Sequence, residues 1–286
     1  MALRAILPRS LHRVSRKIYV KSGTATAGIR LEPSFMMIGA SRCGTTSLFA
    51  ALAAHPQVFR PTVNKGVNYF DLNYFRGPDW YRGHFPIARL AQQRASGAVS
   101  FEASGYYLFH PFALERLARD MPSTKLVAML RDPVERAYSA FKHETARGFE
   151  WESFERALDI EDERLVGEIE RIAQDPTYES FAHRHQTYLH RGQYAEQLER
   201  ARNLFPGNQI HVIESEDFFR EPAREYRRLL DFLELDAFEP DHFDKRNARP
   251  SSPMPSRVFE RLTAHFKPYD DHLAEILGRR PTWESE

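Results

Sequence analysis

The stretch Gly39-Ala40-Ser41-Arg42-Cys43-Gly44-Thr45-Thr46 constrains this chain more than any other. It follows the apolar run Phe35-Met36-Met37-Ile38 and precedes Leu48, Phe49 and Leu52, which share one helical face before Pro56. A short apolar run ended by glycine reads as a buried strand, and the spacing after it as a helix from Thr45 to His55. Glycines at positions 39 and 44 between strand and helix fit the opening of a phosphate loop, G-x-x-x-x-G-K-[ST]. Such glycines let backbone N–H groups close around phosphate oxygens, and the helix N-terminus adds about half a positive charge. The lysine of that pattern is missing. Thr45 stands in its place, and the cation comes earlier, at Arg42. A nucleoside triphosphatase needs that lysine, and a hydroxyl with an acidic residue on Mg²⁺. The sequence shows no convincing acidic partner. The loop reads as a holder for a phosphate-like group, with an ordinary tight strand–helix turn as the plainer alternative.

The rest of the chain alternates in the same way. Ala98–Phe101, Leu126–Leu130 and Ile210–Ile213 are strand candidates. Phe112–Arg119, Tyr194–Leu204, Pro222–Leu233 and Arg257–Leu277 are helical by period. Short apolar strands between longer helices predict a single α/β domain, residues 31–286, around a mostly parallel sheet flanked by helices. The charged stretch 144–191 has few apolar runs and reads as a helical insertion or lid rather than a second core.

Forty Lys and Arg against 39 Asp and Glu leave a net charge of +1, which argues against a nucleic-acid binder but permits a local basic pocket. The one cysteine, Cys43, excludes a disulfide framework and a cysteine-based zinc site. No run of about 18 apolar residues exists to cross a membrane. Residues 1–30 carry seven basic residues, from Arg4 to Arg30, before the first acid at Glu32. Arg4, Pro8 and Arg9 interrupt the apolar core that a signal peptide needs. This arm reads as a flexible tail, or as a peripheral contact for anionic lipid or a partner. A cytoplasmic location is expected.

The second informative stretch runs from Lys125 to Ser139. Arg131 stands where a strand ends, Asp132 suits an N-cap, Pro133 suits the first helical position, and Ser139 lies about two turns on. An arginine offers a bidentate fork to a phosphate and a serine one more donor. The plainer reading has Asp132 capping and Arg131 and Arg136 solvated.

Together the two stretches resemble the sulfotransferases that use 3'-phosphoadenosine 5'-phosphosulfate. The first looks like their 5'-phosphosulfate loop. The second, R-D-P with a serine eight residues after the arginine, looks like their 3'-phosphate motif. Lys65-Gly66-Val67-Asn68-Tyr69-Phe70-Asp71, Phe101-Glu102-Ala103-Ser104-Gly105-Tyr106-Tyr107 and Gly192-Gln193-Tyr194 are similar to the heparan-type carbohydrate branch. The resemblance covers roughly residues 34–282 and implies a P-loop-like fold and a sulfuryl donor bound without metal. It implies that Arg42, Cys43, Gly44, Thr45, Thr46 and Ser47 hold the 5'-phosphosulfate, that Arg131 and Ser139 hold the 3'-phosphate, and that Arg249 closes over the nucleotide. One departure matters: Gly66 occupies the place where that branch commonly has a glutamate base, and Asn68 that of a histidine.

Moving SO₃ from a phosphate oxygen to an acceptor hydroxyl or amine builds charge on the leaving phosphate, which Arg42 and the loop amides would stabilise. A base must come from elsewhere than position 66. Glu102 is the first candidate, with a salt bridge to a basic residue as its bland role; Asp71, Lys65 and His84 follow. Aromatic residues between Tyr69 and Phe85, with Tyr106, Tyr107 and Phe109, can stack on a sugar or small-molecule acceptor or can fill the core. His183, His185 and His190 show no metal-ligand spacing and read as caps or solvent-facing residues near the acceptor cleft. The competing functions are a P-loop kinase, which Thr45 speaks against, and a non-catalytic nucleotide-binding protein, which Gly66 motivates.

Overall fold

The computed structural model describes residues 20–62, 64–244 and 253–284. Five strands, β1 (Pro33–Gly39), β2 (Val58–Phe59), β3 (Val99–Ala103), β4 (Lys125–Leu130) and β5 (Ile210–Glu214), form one parallel sheet in the order β2-β3-β1-β4-β5. The central strands read as continuous apolar runs because helices cover both faces. β4 is buried from Leu126 to Leu130, and Phe35 to Ile38 of β1 are buried too.

Because β1 lies between β3 and β4, the chain leaves β1 toward one side of the sheet and returns on the other. Ligands of open parallel sheets sit at such a switch point, beyond the strands' carboxyl ends. The phosphate loop after β1, Ser104 after β3 and Arg131 after β4 all lie on that edge.

The helices that matter here are α1 (Thr45–Ala54), α2 (Ala113–Asp120), α3 (Pro133–Ala146), α4 (Phe154–Asp159), α5 (Phe181–His185), α6 (Tyr194–Leu204), α7 (Ser215–Arg220), α8 (Pro222–Leu233) and α9 (Ser256–Leu277). α3 starts where the sequence places it. The Asp132 carboxylate accepts from the Val134 N–H at 2.8 Å, and Pro133 takes the first position, where no N–H is needed.

Two regions differ from the sequence reading. Residues 20–30, assigned to a flexible arm, are folded onto the domain. Residues 20–25 are helical, the Leu31 N–H bonds Pro86 O at 2.9 Å, and the Arg30 guanidinium donates to Phe85 O at 2.5 Å. Gly23 passes so close to Gly83 that a Cβ would lie 2.3 Å from its carbonyl oxygen. Residues 1–19 of the arm lie outside the described residues. The stretch 144–191 also has an apolar centre of its own. Phe154, Ala157, Leu158 and Tyr188 pack with Val134, Ala137 and Tyr138 of α3 and Val258, Leu262 and Phe266 of α9. Its apolar residues are sparse in sequence because their partners come from α3 and α9.

Among the described residues no helix is long and apolar enough to cross a membrane.

Candidate active site

The phosphate loop is fixed from three sides. The Ala40 N–H donates to Met129 O of β4 at 2.8 Å, the Ser215 hydroxyl donates to Cys43 O at 2.5 Å, and the Tyr194 hydroxyl donates to Arg131 O at 2.9 Å while lying 3.6 Å from Cys43 Sγ. Tyr194 thus ties the two predicted loops together. Gly44 precedes α1 with φ +83°, and a Cβ there would meet the Phe219 ring at 2.9 Å and Met129 Cε at 3.1 Å. Glycine is required both for the turn and for the space. Arg42 also has a positive φ, +73°. That conformation costs a non-glycine residue about 1–3 kcal/mol and concentrates at ligand-binding sites. Cys43 is fully buried, and burial pushes its thiol up to about 11, so it contributes backbone and packing. Thr45, Thr46 and Ser47 form the first turn of α1, where N–H groups lack carbonyl partners within the helix.

Arg42 reaches across from this loop to the second one. Its Nε donates to Ser139 Oγ at 3.2 Å, over 97 residues of sequence. Arg131, at the foot of α3, pairs with Glu135 at 3.2 Å and stays partly exposed. Lys142, one turn beyond Ser139, lies 4.0 Å over the Tyr138 ring. Burial, opposed by Glu135 and reinforced by Arg131 and Arg42, holds its ammonium below the usual lysine range. Three cations and a serine therefore share one face at the ends of β1 and β4. Arg136 departs from the expectation of a solvated side chain. It is fully buried and donates to Tyr188 O.

The third wall comes from β3 and the segment after β2. The turn after β3 lies on the loop, where a Cβ on Gly105 would be 3.6 Å from Ser41 Cα. Glu102 is fully buried. Its Oε1 accepts from the Val67 N–H at 2.9 Å, the Asn68 N–H at 3.1 Å, the Ser104 hydroxyl at 2.5 Å and the Tyr107 hydroxyl at 2.8 Å. Among the described residues Glu102 forms no salt bridge, unlike its expected bland role, and one of its oxygens anchors the segment that carries Lys65 and Asp71. Gly66 has a steric reason: a Cβ would lie 2.7 Å from Ala103 O and 2.8 Å from Ser104 Oγ. Asp71 is buried too. Its Oδ1 accepts from the Leu72 N–H at 2.7 Å, while Oδ2 has no hydrogen-bond partner among the described residues. Burial, aided by the nearby Glu102 charge, pushes this carboxyl up to about 7. Lys65 donates to Thr45 Oγ1 at 3.1 Å.

A model of the sulfotransferase domain matches residues 32–249, three quarters of the chain. The chain belongs to the sulfotransferase family. It is 27% identical over 320 residues to the membrane-associated sulfotransferase kil1 of Dictyostelium discoideum, covering 88% of this chain and 67% of that protein. It is 26% identical to the mouse heparan sulfate glucosamine 3-O-sulfotransferase 6, covering 90% of this chain and 75% of the relative. It spans only 20% of the bifunctional heparan sulfate N-deacetylase/N-sulfotransferase of Drosophila melanogaster. Among solved structures, a sulfotransferase from Alicyclobacillus acidocaldarius superposes with a TM-score of 0.69 at 29% identity, covering 90% of this chain and all of that one.

Measured against a sulfotransferase reading, the remaining predicted residues divide. The aromatic residues after Asn68 chiefly fill the core: Tyr69, Phe70, Tyr81 and Phe85 are buried, with Tyr69 stacked on Tyr81 at 4.6 Å. His183 faces inward, not toward solvent. Its Nδ1 meets the Tyr106 hydroxyl at 2.6 Å, and burial lowers its pKa to about 3, so the ring is neutral. His185 pairs with Glu144 and His190 with Glu161. Arg249 lies outside the described residues. Sequence reasoning missed Lys142; its spacing of three from Ser139 on a helix starting at Pro133 was the available signal.

Proposed function

We propose that the protein transfers a sulfuryl group from 3'-phosphoadenosine 5'-phosphosulfate to a hydroxyl of a carbohydrate, glycolipid or natural-product acceptor. The Arg42–Ser139 contact carries this reading. It joins a phosphate loop without the NTPase lysine to a second phosphate motif, an arrangement that suits a nucleotide with phosphate at both ends. The donor set fits: backbone amides at a helix N-terminus, Arg42, Arg131, Lys142 and Ser139 are donors of the kind that hold phosphate and sulfate. Gly44, at φ +83°, allows the turn that leads into those amides. When bound, the donor supplies an activated sulfuryl group whose departure leaves charge on the 5'-phosphate. Arg42 and the amides of α1's first turn hold that charge, and Arg131 with Ser139 fixes the other end of the nucleotide.

Asp71 suits the base role better than Glu102. Each has one buried oxygen without a hydrogen-bond partner among the described residues, Asp71 Oδ2 and Glu102 Oε2, but burial and the nearby Glu102 charge push Asp71 up to about 7, near operating pH, where general bases work best. Glu102 positions the segment that carries Asp71. The similarity to heparan sulfate glucosamine sulfotransferases favours a sugar hydroxyl as acceptor. The test uses donor labelled in its sulfur and a panel of glycans, glycolipids and phenols. Label on an acceptor hydroxyl, with equimolar 3'-phosphoadenosine 5'-phosphate released, is expected. Donor binding without transfer to any acceptor would favour a non-catalytic nucleotide binder.

A further inference from the structure

The loop's own cation, Arg42, turns toward Ser139, and Thr45 stands where an NTPase loop carries its lysine. The side chain that meets Thr45 is itself a lysine from elsewhere: Lys65 Nζ stands 3.1 Å from Thr45 Oγ1 and 5.5 Å over the Phe49 ring. We propose that Lys65, from the segment after β2, adds a second cation to the loop's Arg42 and binds the 5'-phosphosulfate end of the donor. This rests on the sulfotransferase reading above and adds to it a catalytic residue outside the loop.

The segment is built to hold that ammonium in place. Lys65 O accepts from the Ala103 N–H at 3.3 Å, and the next residues are clamped by Glu102 Oε1 through Val67 and Asn68. Gly66 lets the backbone pass against Ala103 O and Ser104 Oγ, where any side chain would force it away from the loop. The same contact that removes the expected glutamate therefore lets Lys65 reach Thr45. A lysine kept for stability is normally paired with a carboxylate when it is desolvated. Among the described residues Lys65 has no ion pair, and its hydrogen-bond acceptor is one neutral hydroxyl. The charged groups on the elements packed against it are Glu102 on β3 and Arg42 in the loop. Glu102 directs Oε1 to Val67, Asn68, Ser104 and Tyr107 instead. Burial lowers the Lys65 ammonium to about 8. An incoming phosphate or sulfate provides the missing anion and restores its charge.

In the transfer, the bond between sulfur and the 5'-phosphate oxygen breaks and a bond from sulfur to the acceptor oxygen forms. The phosphate oxygen keeps the electron pair, stabilised by the Lys65 ammonium, which retains its proton. The acceptor's proton goes to Asp71.

The test is calorimetric titration with 3'-phosphoadenosine 5'-phosphate at pH 8.5, in two buffers of different ionisation enthalpy. Wild type should take up roughly three quarters of a proton on binding, the fraction by which a group of pKa about 8 is neutral at that pH. Lys65→Met should lose this uptake and bind at least tenfold more weakly. Lys65→Arg, always charged, should keep affinity within a few fold and also lose the uptake. Adenosine 3'-monophosphate, which lacks the 5' group, should bind wild type and Lys65→Met equally. Unchanged proton uptake in Lys65→Arg, or equal weakening of both nucleotides in Lys65→Met, would overturn the proposal. Failure of wild type to bind the bisphosphate would instead overturn the sulfotransferase reading beneath it.

Discussion

Gly66 shows how a single residue changes what a site can do. With a Cβ barred by Ala103 O and Ser104 Oγ, a glutamate is not restored by substitution alone. Gly66→Glu should lower both Tm and turnover rather than raise activity; a faster enzyme would refute the steric account. Asp71 and Lys65 then set the pH response. Asp71 must be ionised and Lys65 protonated, with pKa values of about 7 and about 8, so kcat/KM should be bell-shaped with a narrow maximum between them. Asp71→Asn should abolish most turnover while leaving bisphosphate affinity within a few fold. It should also change stability in a defined direction. The folded carboxyl has a pKa raised above its ordinary 3.8, so wild type loses stability as pH rises from about 4 to about 7. The Tm advantage of Asp71→Asn should grow across that window and level off above it. A pH-independent difference would place Asp71 in water. Glu102→Gln is the contrasting variant: it weakens four hydrogen bonds at once, so any lost turnover should come with a lowered Tm.

The elements that position the site were legible wherever local chemistry sets their ends. Tyr194–Leu204 and Pro222–Leu233 begin and end as the sequence pattern places them, and Asp132-Pro133 marks the start of α3. Asp132→Ala should remove that cap at a cost of about 1 kcal/mol, or about 2–4 °C in Tm. No measurable change in Tm would show that the cap is idle. What escaped sequence reading depends on distant partners. β2 is two residues long and exists because it pairs with Val99 and Ser100 of β3. α7 is a six-residue helix too short to show a period, yet its Ser215 anchors Cys43 O. The phosphate loop and the Arg131–Ser139 stretch could be read as two motifs, but their contact through Arg42 joins the ends of two neighbouring strands across 97 residues of sequence. The meeting of Lys65 with Thr45 likewise requires the fold, because nothing local to either residue signals it.

At the scale of the molecule, one parallel sheet brings loops from β1, β3 and β4 to a single edge, and the chain's last described turn closes back on it. The fully buried Glu214, ending β5, accepts from the Thr282 N–H and hydroxyl, the latter at 2.7 Å, and pairs with Arg279. Thr282→Val would remove one of these donors and should cost about 1–3 kcal/mol without altering nucleotide affinity. The central claim concerns the edge itself: two loops, joined by Arg42 and Ser139, hold the two phosphate ends of one nucleotide. The most direct measurement is calorimetric titration of wild type and Arg131→Ala with 3'-phosphoadenosine 5'-phosphate and, separately, with Mg-ATP. Tight binding of the bisphosphate by wild type, a loss of at least tenfold in the variant, and weak binding of Mg-ATP by both are expected. Equal or tighter binding of Mg-ATP, indifferent to Arg131, would contradict the account.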